Sequence, residues 1–416
     1  MLEEKHRRLL WLLAVACFTE GYDYALLTVA LPKVRHTFGL SHATADLWIA
    51  LLYLGALPAL AWGRRADGHG RRDVLLLSIV GYTLAAAVTA TSPSIEFFVA
   101  CQFVARCFIA TQVAVAWTMA AEDLPAERRG TGFGVLALAS ALGTGFCSIV
   151  QAAVLSPLGA SWRWLYILAL PFLAIAVFLR RALPESERYL ALDRRASPDQ
   201  RAAALFRRPL VRPLLIVCLA VLLCNLTTEA IVFSLDFMQT QRGLSASTAN
   251  LLLVAAGALA LPVLTLAGRV SDRIGRRRVC VVGLLVQSGG LLVFFIAARG
   301  AVELGLSLAL VYLGLFAAWT TGSGFAVEMF PTSLRAAASS AAAIAKLLGQ
   351  SASFAIGAAV LTATHRPDST ITVLVIGPIA GALLIALFLP ETSRRELTDV
   401  VPIPATEASG AATVGP

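Results

Sequence analysis

The chain has 416 residues, 58% of them hydrophobic and only 14% charged, against roughly 45–50% and about 25% in soluble domains. Apolar stretches of about eighteen residues or more recur along its whole length, so lipid is the solvent for most of it and a soluble basic enzyme is excluded. The net charge of +9 arises from basic residues in short gaps between apolar runs, the pattern of membrane topology and not of a nucleic-acid-binding face.

A run of about 20 apolar residues makes roughly 30 Å of helix. Twelve such runs follow in chain order: 9 to 31, 46 to 63, 73 to 91, 97 to 121, 131 to 155, 162 to 180, 213 to 237, 247 to 267, 279 to 298, 303 to 327, 336 to 363 and 370 to 389. They are called spans 1 to 12 below. Span 1 follows Lys5, Arg7 and Arg8 as a signal peptide would, but it continues to Leu31 without a small-residue cleavage pattern and reads as a retained span. Twelve spans put both termini on one side. With the N-terminus inside, the inner segments hold most of the Lys and Arg, and the outer loops hold only Lys33, Arg35, Arg163, Arg242, Arg299 and Arg366. Both ends are therefore expected in the cytoplasm.

The polar stretch from Arg181 to Arg212 divides the chain. The expected organisation is an N-terminal six-helix bundle (1–192), a cytoplasmic linker (193–212), a C-terminal six-helix bundle (213–400) and a disordered tail (401–416). The seven cysteines lie in or beside apolar runs without metal-ligand spacing and read as packing residues. The five histidines lie outside the runs, which removes histidine as a proton carrier inside the membrane.

The two halves repeat at an offset of 205 to 206 residues. Gly63, Asp67, Gly70 and Arg71 recur as Gly268, Asp272, Gly275 and Arg276. Glu122, Pro125 and Arg129 recur as Glu328, Pro331 and Arg335, Gly143 as Gly349, and Pro184-Glu185-Ser186 as Pro390-Glu391-Thr392. Several motifs in one register mark a duplicated six-span unit with both copies in the same orientation, the parallel repeat of a transporter.

At these motifs the chain resembles the major facilitator superfamily over essentially its whole length. The loop from Gly63 to Arg72, with its echo from Gly268 to Arg277, is similar to that superfamily's signature between spans 2 and 3. The segments at Pro184 and Pro390, and Gly21-Tyr22-Asp23 in span 1, resemble motifs of sugar porters and related organic-solute symporters. Span 5 reads Gly143-Thr144-Gly145-Phe146 and lacks the Gly-Pro motif of drug antiporters, which weakens an efflux reading. The resemblance implies an all-α membrane protein of twelve transmembrane helices in two pseudo-symmetric six-helix bundles.

A charge at mid-membrane costs about 2.5–3.5 kcal/mol on insertion scales, so each one marks a functional candidate. Five qualify at mid-membrane, away from the span ends: Glu20, Asp23, Arg106, Glu229 and Lys346. Asp23 lies roughly 22 Å beyond Arg8 and Arg106 roughly 24 Å from Glu122, at similar depth. Pairing would hold Asp23 ionised, and withdrawing the arginine would leave the buried carboxylate to take a proton. The pair is thus either a proton-coupling switch or a static ion pair. The resemblance implies the switch, because sugar-porter-like symporters use a span 1 Asp and a span 4 Arg in this way. Glu20, three residues before Asp23, either shares the proton, touches substrate, or only tunes Asp23 by repulsion. Glu229 occupies the place in the second half that Asp23 holds in the first, and either enters the cavity or reaches water at the outer end. Lys346 pairs with an acid such as Glu229 or meets an anionic group of the substrate. Gln112, Asn225, Thr228, Trp319, Thr320 and Gln350 complete the expected substrate cavity, with ordinary helix packing the alternative for each.

A cytoplasmic gate is expected from Gly63, Asp67, Gly70, Arg71, Arg72, Glu122, Arg129 and Glu185 in the first half. The second half contributes Gly268, Asp272, Gly275, Arg276, Glu328, Arg335 and Glu391. By resemblance this network latches the halves shut on the cytoplasmic side.

The resulting expectation is a secondary active transporter, taking up a small organic solute with protons and leaning to an organic anion. The alternatives are a neutral sugar or metabolite, proton-driven efflux, or a sensor that kept the fold. No enzymatic nucleophile with a base, phosphate loop or metal cluster stands out. No cofactor is expected beyond the proton as coupling ion. The expected partners are the solute and the lipid bilayer, with no nucleic acid. The expected form is a monomer in a bacterial inner membrane.

Overall fold

In the computed structural model, residues 4–59, 70–124, 129–184, 210–328, 330, 335–365 and 367–391 are described, and their regular structure is helical without strands. Among the described residues, eleven helical segments are long and apolar enough to cross a membrane. The twelfth, span 2, is described as His42–Leu54 and runs on towards residues outside the described set. The expected linker falls largely on such residues and the tail wholly.

Most helices outrun their apolar cores. Span 1 is one helix, Glu4–Phe38, with Glu4 in its first turn and Arg35 and His36 in its last, charges that suit the two ends of its dipole. Spans 3, 4, 8, 10, 11 and 12 are Arg71–Thr89, Ile95–Asp123, Ala246–Ile274, Ala301–Glu328, Arg335–Thr364 and Pro367–Phe388. Serine caps begin spans 2 and 8, where Ser41 and Ser245 each accept a hydrogen bond from the backbone NH three residues on, at 3.1 Å. Spans 5 and 9 (Arg129–Ile149, Arg276–Leu292) end in wider π-type turns, Val150–Leu155 and Val293–Ala297. Span 6 is split into Arg163–Ile167 and Phe172–Ala182 around Pro171. Span 7 breaks into Val211–Cys224, Thr228–Val232 and Ser234–Thr240.

The repeat has a packing basis. A Cβ on Gly143 of span 5 would stand 2.0 Å from the Phe18 carbonyl oxygen of span 1. A Cβ on Gly349 of span 11, its counterpart, would stand 2.4 Å from the Leu222 carbonyl oxygen of span 7. Only glycine lets these backbones meet.

The apolar core is arranged unevenly. On the face away from the termini, one continuous cluster joins both halves, from Tyr22, Leu26, Ile49 and Trp162 to Phe233, Phe294, Leu308 and Phe354. Towards the termini the core splits into a first-half cluster around Leu13, Leu75 and Met119 and a second-half cluster around Leu214, Cys280 and Ile385. The bundles therefore meet at the distal face and part towards the terminal face. Exposed Leu51, Leu138, Val282, Leu306 and Leu387 present the apolar outer surface that lipid requires.

Candidate coupling and substrate site

The site is built first on span 1, where Glu20 and Asp23 stand one helical turn apart and are both buried. Glu20 Oε2 accepts a hydrogen bond from Ser140 Oγ of span 5 at 2.8 Å. Neither carboxylate oxygen of Asp23 has a hydrogen-bond partner. Arg106 is buried on span 4 and acts electrostatically on both acids. Its guanidinium does not pair with Asp23 within 4.0 Å among the described residues; it lies 4.6 Å from the Tyr24 ring centroid and 4.8 Å from that of Tyr53. The expected contact pair is thus replaced by a buried acid and a nearby base that rests on aromatic faces.

Lys346, on span 11, is exposed, and its ammonium lies 5.8 Å from the centroid of the Trp319 ring. It acts electrostatically on Glu20, in the opposite bundle, so it faces the gap between bundles and not lipid. Trp319 is 47% exposed in the same gap. Of the two alternatives for Lys346, pairing with Glu229 is not seen among the described residues. Glu229 Oε1 instead meets His42 Nε2 of span 2 at 3.1 Å, in the distal seam.

Several polar candidates have their donors engaged nearby. Gln112 is fully buried and its amide donates to the Ala16 carbonyl at 2.6 Å, so it joins spans 4 and 1 and does not line a cavity. Asn225 Nδ2 donates to the Val221 carbonyl and Thr228 Oγ1 to the Asn225 carbonyl, both at 2.8 Å, where span 7 breaks. Thr320 Oγ1 donates to the Phe316 carbonyl at 2.8 Å. Gln350 is buried.

The distal seam was overlooked by sequence reasoning. Arg35 of span 1 forms an ion pair with the buried Asp236 of span 7. The His42 ring stacks on Phe233, with centroids 3.9 Å apart, and lies 4.0 Å from Asp46 Oδ2. Ser351 Oγ donates to the Ala50 carbonyl at 2.9 Å and Ser247 Oγ to the Ala152 carbonyl at 2.7 Å. Histidine is therefore not absent from the polar interior. His42 lies four residues before its run begins at Asp46, yet it opens the helix and reaches across the seam. A signal was present, since Asp236 falls inside the seventh apolar run and His42 stands one helical turn before Asp46.

At the terminal face, Gly70 and Gly275 take φ of 103° and 107° and each immediately precedes a helix. Such angles favour glycine. Glu391 Oε1 accepts the backbone NH of Arg276 at 2.8 Å, and Oε2 that of Arg277 at 3.3 Å. The half-ending motif thus caps the helix that leaves the signature loop. Arg72 Nε meets Asp73 Oδ1 at 3.3 Å, Arg71 is buried, and Gly268 has open space at its Cβ position. Gly63, Asp67 and Glu185 lie outside the described residues. Glu122, Arg129, Asp272, Glu328 and Arg335 stand in helices, but their side chains are outside the described set.

The family profile described as Major Facilitator Superfamily matches residues 13–235 and 217–407. The chain belongs to that superfamily. It is a membrane transporter and not an enzyme, with a small-molecule substrate and a lipid surround. It is 22% identical over 396 residues to a putative niacin/nicotinamide transporter of Bacillus subtilis, covering 94% of this chain and 98% of that one. It is 22% identical over 322 residues to a sialic acid transporter of Escherichia coli, covering 76% and 78%. The fold matches the inward-open xylose transporter of Escherichia coli with a TM-score of 0.76 at 18% identity, covering 95% of this chain and 99% of that one.

Proposed function

We propose that this transporter carries a small organic anion together with a proton, by alternating access between two bundles that rock about Asp23, Arg106 and Lys346. The observation that carries the reading is Asp23, a buried mid-span carboxylate with no hydrogen bond to either oxygen and a guanidinium near but not in contact. Such a group is stable as the neutral acid, and becomes stable as the anion when Arg106 closes on it. Span 1 therefore supplies a proton holder and span 4, in Arg106, a means of emptying it. Lys346 supports an anionic solute, because an exposed ammonium in the inter-bundle gap is a group that rewards a carboxylate. The sialic acid relative is named for an acid. In this reading the terminal face is cytoplasmic, in a bacterial inner membrane, and the state seen here is open to the cytoplasm.

Proteoliposome uptake of a panel of labelled carboxylates and matched amides tests the reading, with and without an inward proton gradient. The expected result is gradient-driven accumulation of a carboxylate over its amide. Uptake indifferent to the gradient, or equal for both members of each pair, overturns it.

A further inference from the structure

The distal seam holds more acid than base. Asp46, Glu229 and Asp236 are buried there, against Arg35 and His42. Arg35 is committed to Asp236, and His42 Nε2 to Glu229 Oε1. Both oxygens of Asp46 and the second oxygen of Glu229 remain buried without a hydrogen-bond partner. Asp46 is 0% exposed and Glu229 2%, so both carboxylates are almost wholly removed from bulk solvent. An uncompensated carboxylate in such surroundings is costly, and two neighbouring ones are stabilised by a shared proton or by a bound cation.

The convergence is tight. One ligand atom from each of His42, Asp46 and Glu229 lies within 4.8 Å of the other two. Gly357 of span 11 leaves room beside them; a Cβ there would stand 3.4 Å from Asp46 Oδ2 and 3.2 Å from Glu229 Cγ. The His42 ring is held by its stack on Phe233, which orients Nε2. Access exists as well, since His42 and Glu229 line a cavity of about 370 Å³ with Arg35, Asp236 and His365.

We propose that His42 Nε2, Asp46 and Glu229 form a binding site for a divalent transition-metal ion of the zinc class. The donor set selects the class: one imidazole nitrogen with carboxylate oxygens suits zinc and its neighbours, whereas calcium and magnesium take oxygen alone. Pulling the ligand atoms from the present spacing onto a common ion needs sub-ångström side-chain shifts. Water from the cavity fills the remaining positions. Two ligands come from span 2 and one from span 7, so the ion ties the bundles together at the distal face. Bound metal therefore holds the terminal-open state and inhibits transport of any solute, whatever its charge or coupling.

The test uses purified, tag-free, full-length protein and needs no flux. Titration with Zn²⁺ alone is expected to give one saturable site and a raised Tm. His42→Gln, Asp46→Asn and Glu229→Gln should each weaken it about tenfold or more, and His36→Gln, at an exposed residue, should leave it unchanged. Should the seam variants fail to fold, wild-type protein loaded with Cu²⁺ is examined by electron spin echo, which registers coordinated imidazole. One imidazole, displaced by Zn²⁺, supports the site. No saturable binding, binding unchanged in His42→Gln, or a bound copper without imidazole overturns the proposal.

Discussion

Glu20 and Asp23 share a helix face and a buried setting, yet one is bonded to Ser140 and the other to nothing. Under the proposed function, that asymmetry makes Asp23 and not Glu20 the proton holder. Asp23→Asn keeps the shape and places a neutral group where no hydrogen bond is lost, so folding should be little affected. Gradient-driven accumulation should disappear, while exchange of labelled for unlabelled solute across the membrane persists. Accumulation equal to wild type would sink the assignment. Lys346→Ala removes the charge offered to the solute and should raise the KM for the carboxylate about tenfold, the scale of one charge-assisted hydrogen bond, while sparing a neutral analogue. Equal effects on both would end the anion argument. Intramembrane charges such as Asp23, Arg106 and Lys346 were legible because hydropathy makes them conspicuous. Asp46 and Asp236 gave a weaker signal, because a charge at a span edge reads the same whether it faces water or a partner bundle. Nor could one chain show that Arg106 would rest on Tyr24 and Tyr53, which needs the relative rotation of three helices.

Among elements, the close contacts of span 5 on span 1 and span 11 on span 7 follow from glycine at equivalent places. A methyl group at Gly143 or Gly349 would stand 2.0 or 2.4 Å from a backbone oxygen, which no rotamer change relieves. Gly143→Ala and Gly349→Ala should each destabilise by about 1–3 kcal/mol, visible as a lowered Tm in detergent. Gly145→Ala, in the same helix but with open space at its Cβ position, should leave Tm nearly unchanged. A Tm loss for Gly145→Ala as large as that for Gly143→Ala would show that helix flexibility, and not contact, is what glycine provides. The twelve spans were readable because lipid demands long apolar helices. Their breaks were less so. The gap in span 7 between Cys224 and Thr228 contains no proline, and it is held by Asn225 and Thr228 bonding back to nearby carbonyls. Outer-loop bases taken only as topological markers also have local work. Lys33 donates to the Ala160 carbonyl at 2.8 Å, and Arg242 to those of Ala298 and Phe295 at 3.0 and 2.9 Å.

For the whole molecule, the shared distal core and the divided terminal cores describe one of two arrangements that a transporter must visit. Beside that shared apolar core, a small set of polar contacts crosses the distal face, and the Arg35 to Asp236 pair is the one most open to test. Asp236 is buried only while the seam is closed; an open seam would hydrate it. Removing Arg35 therefore penalises the closed seam and not the open one. Breaking such a buried pair costs about 3–5 kcal/mol, enough to invert an equilibrium of a few kcal/mol between two states. Arg35→Ala should thus shift the protein towards a distal-open form in which the terminal gap closes over Lys346. The readout is the labelling rate of Lys346→Cys by a bulky thiol reagent in detergent, in a background lacking the native cysteines. It should fall about tenfold or more in Arg35→Ala and recover in the charge-swapped double variant Arg35→Asp with Asp236→Arg. Recovery distinguishes a gate from general damage, because the swap restores attraction without restoring either original side chain. A labelling rate unmoved by Arg35→Ala would mean that the apolar core alone closes the distal face, and that the charges crossing it only set the register of the two bundles.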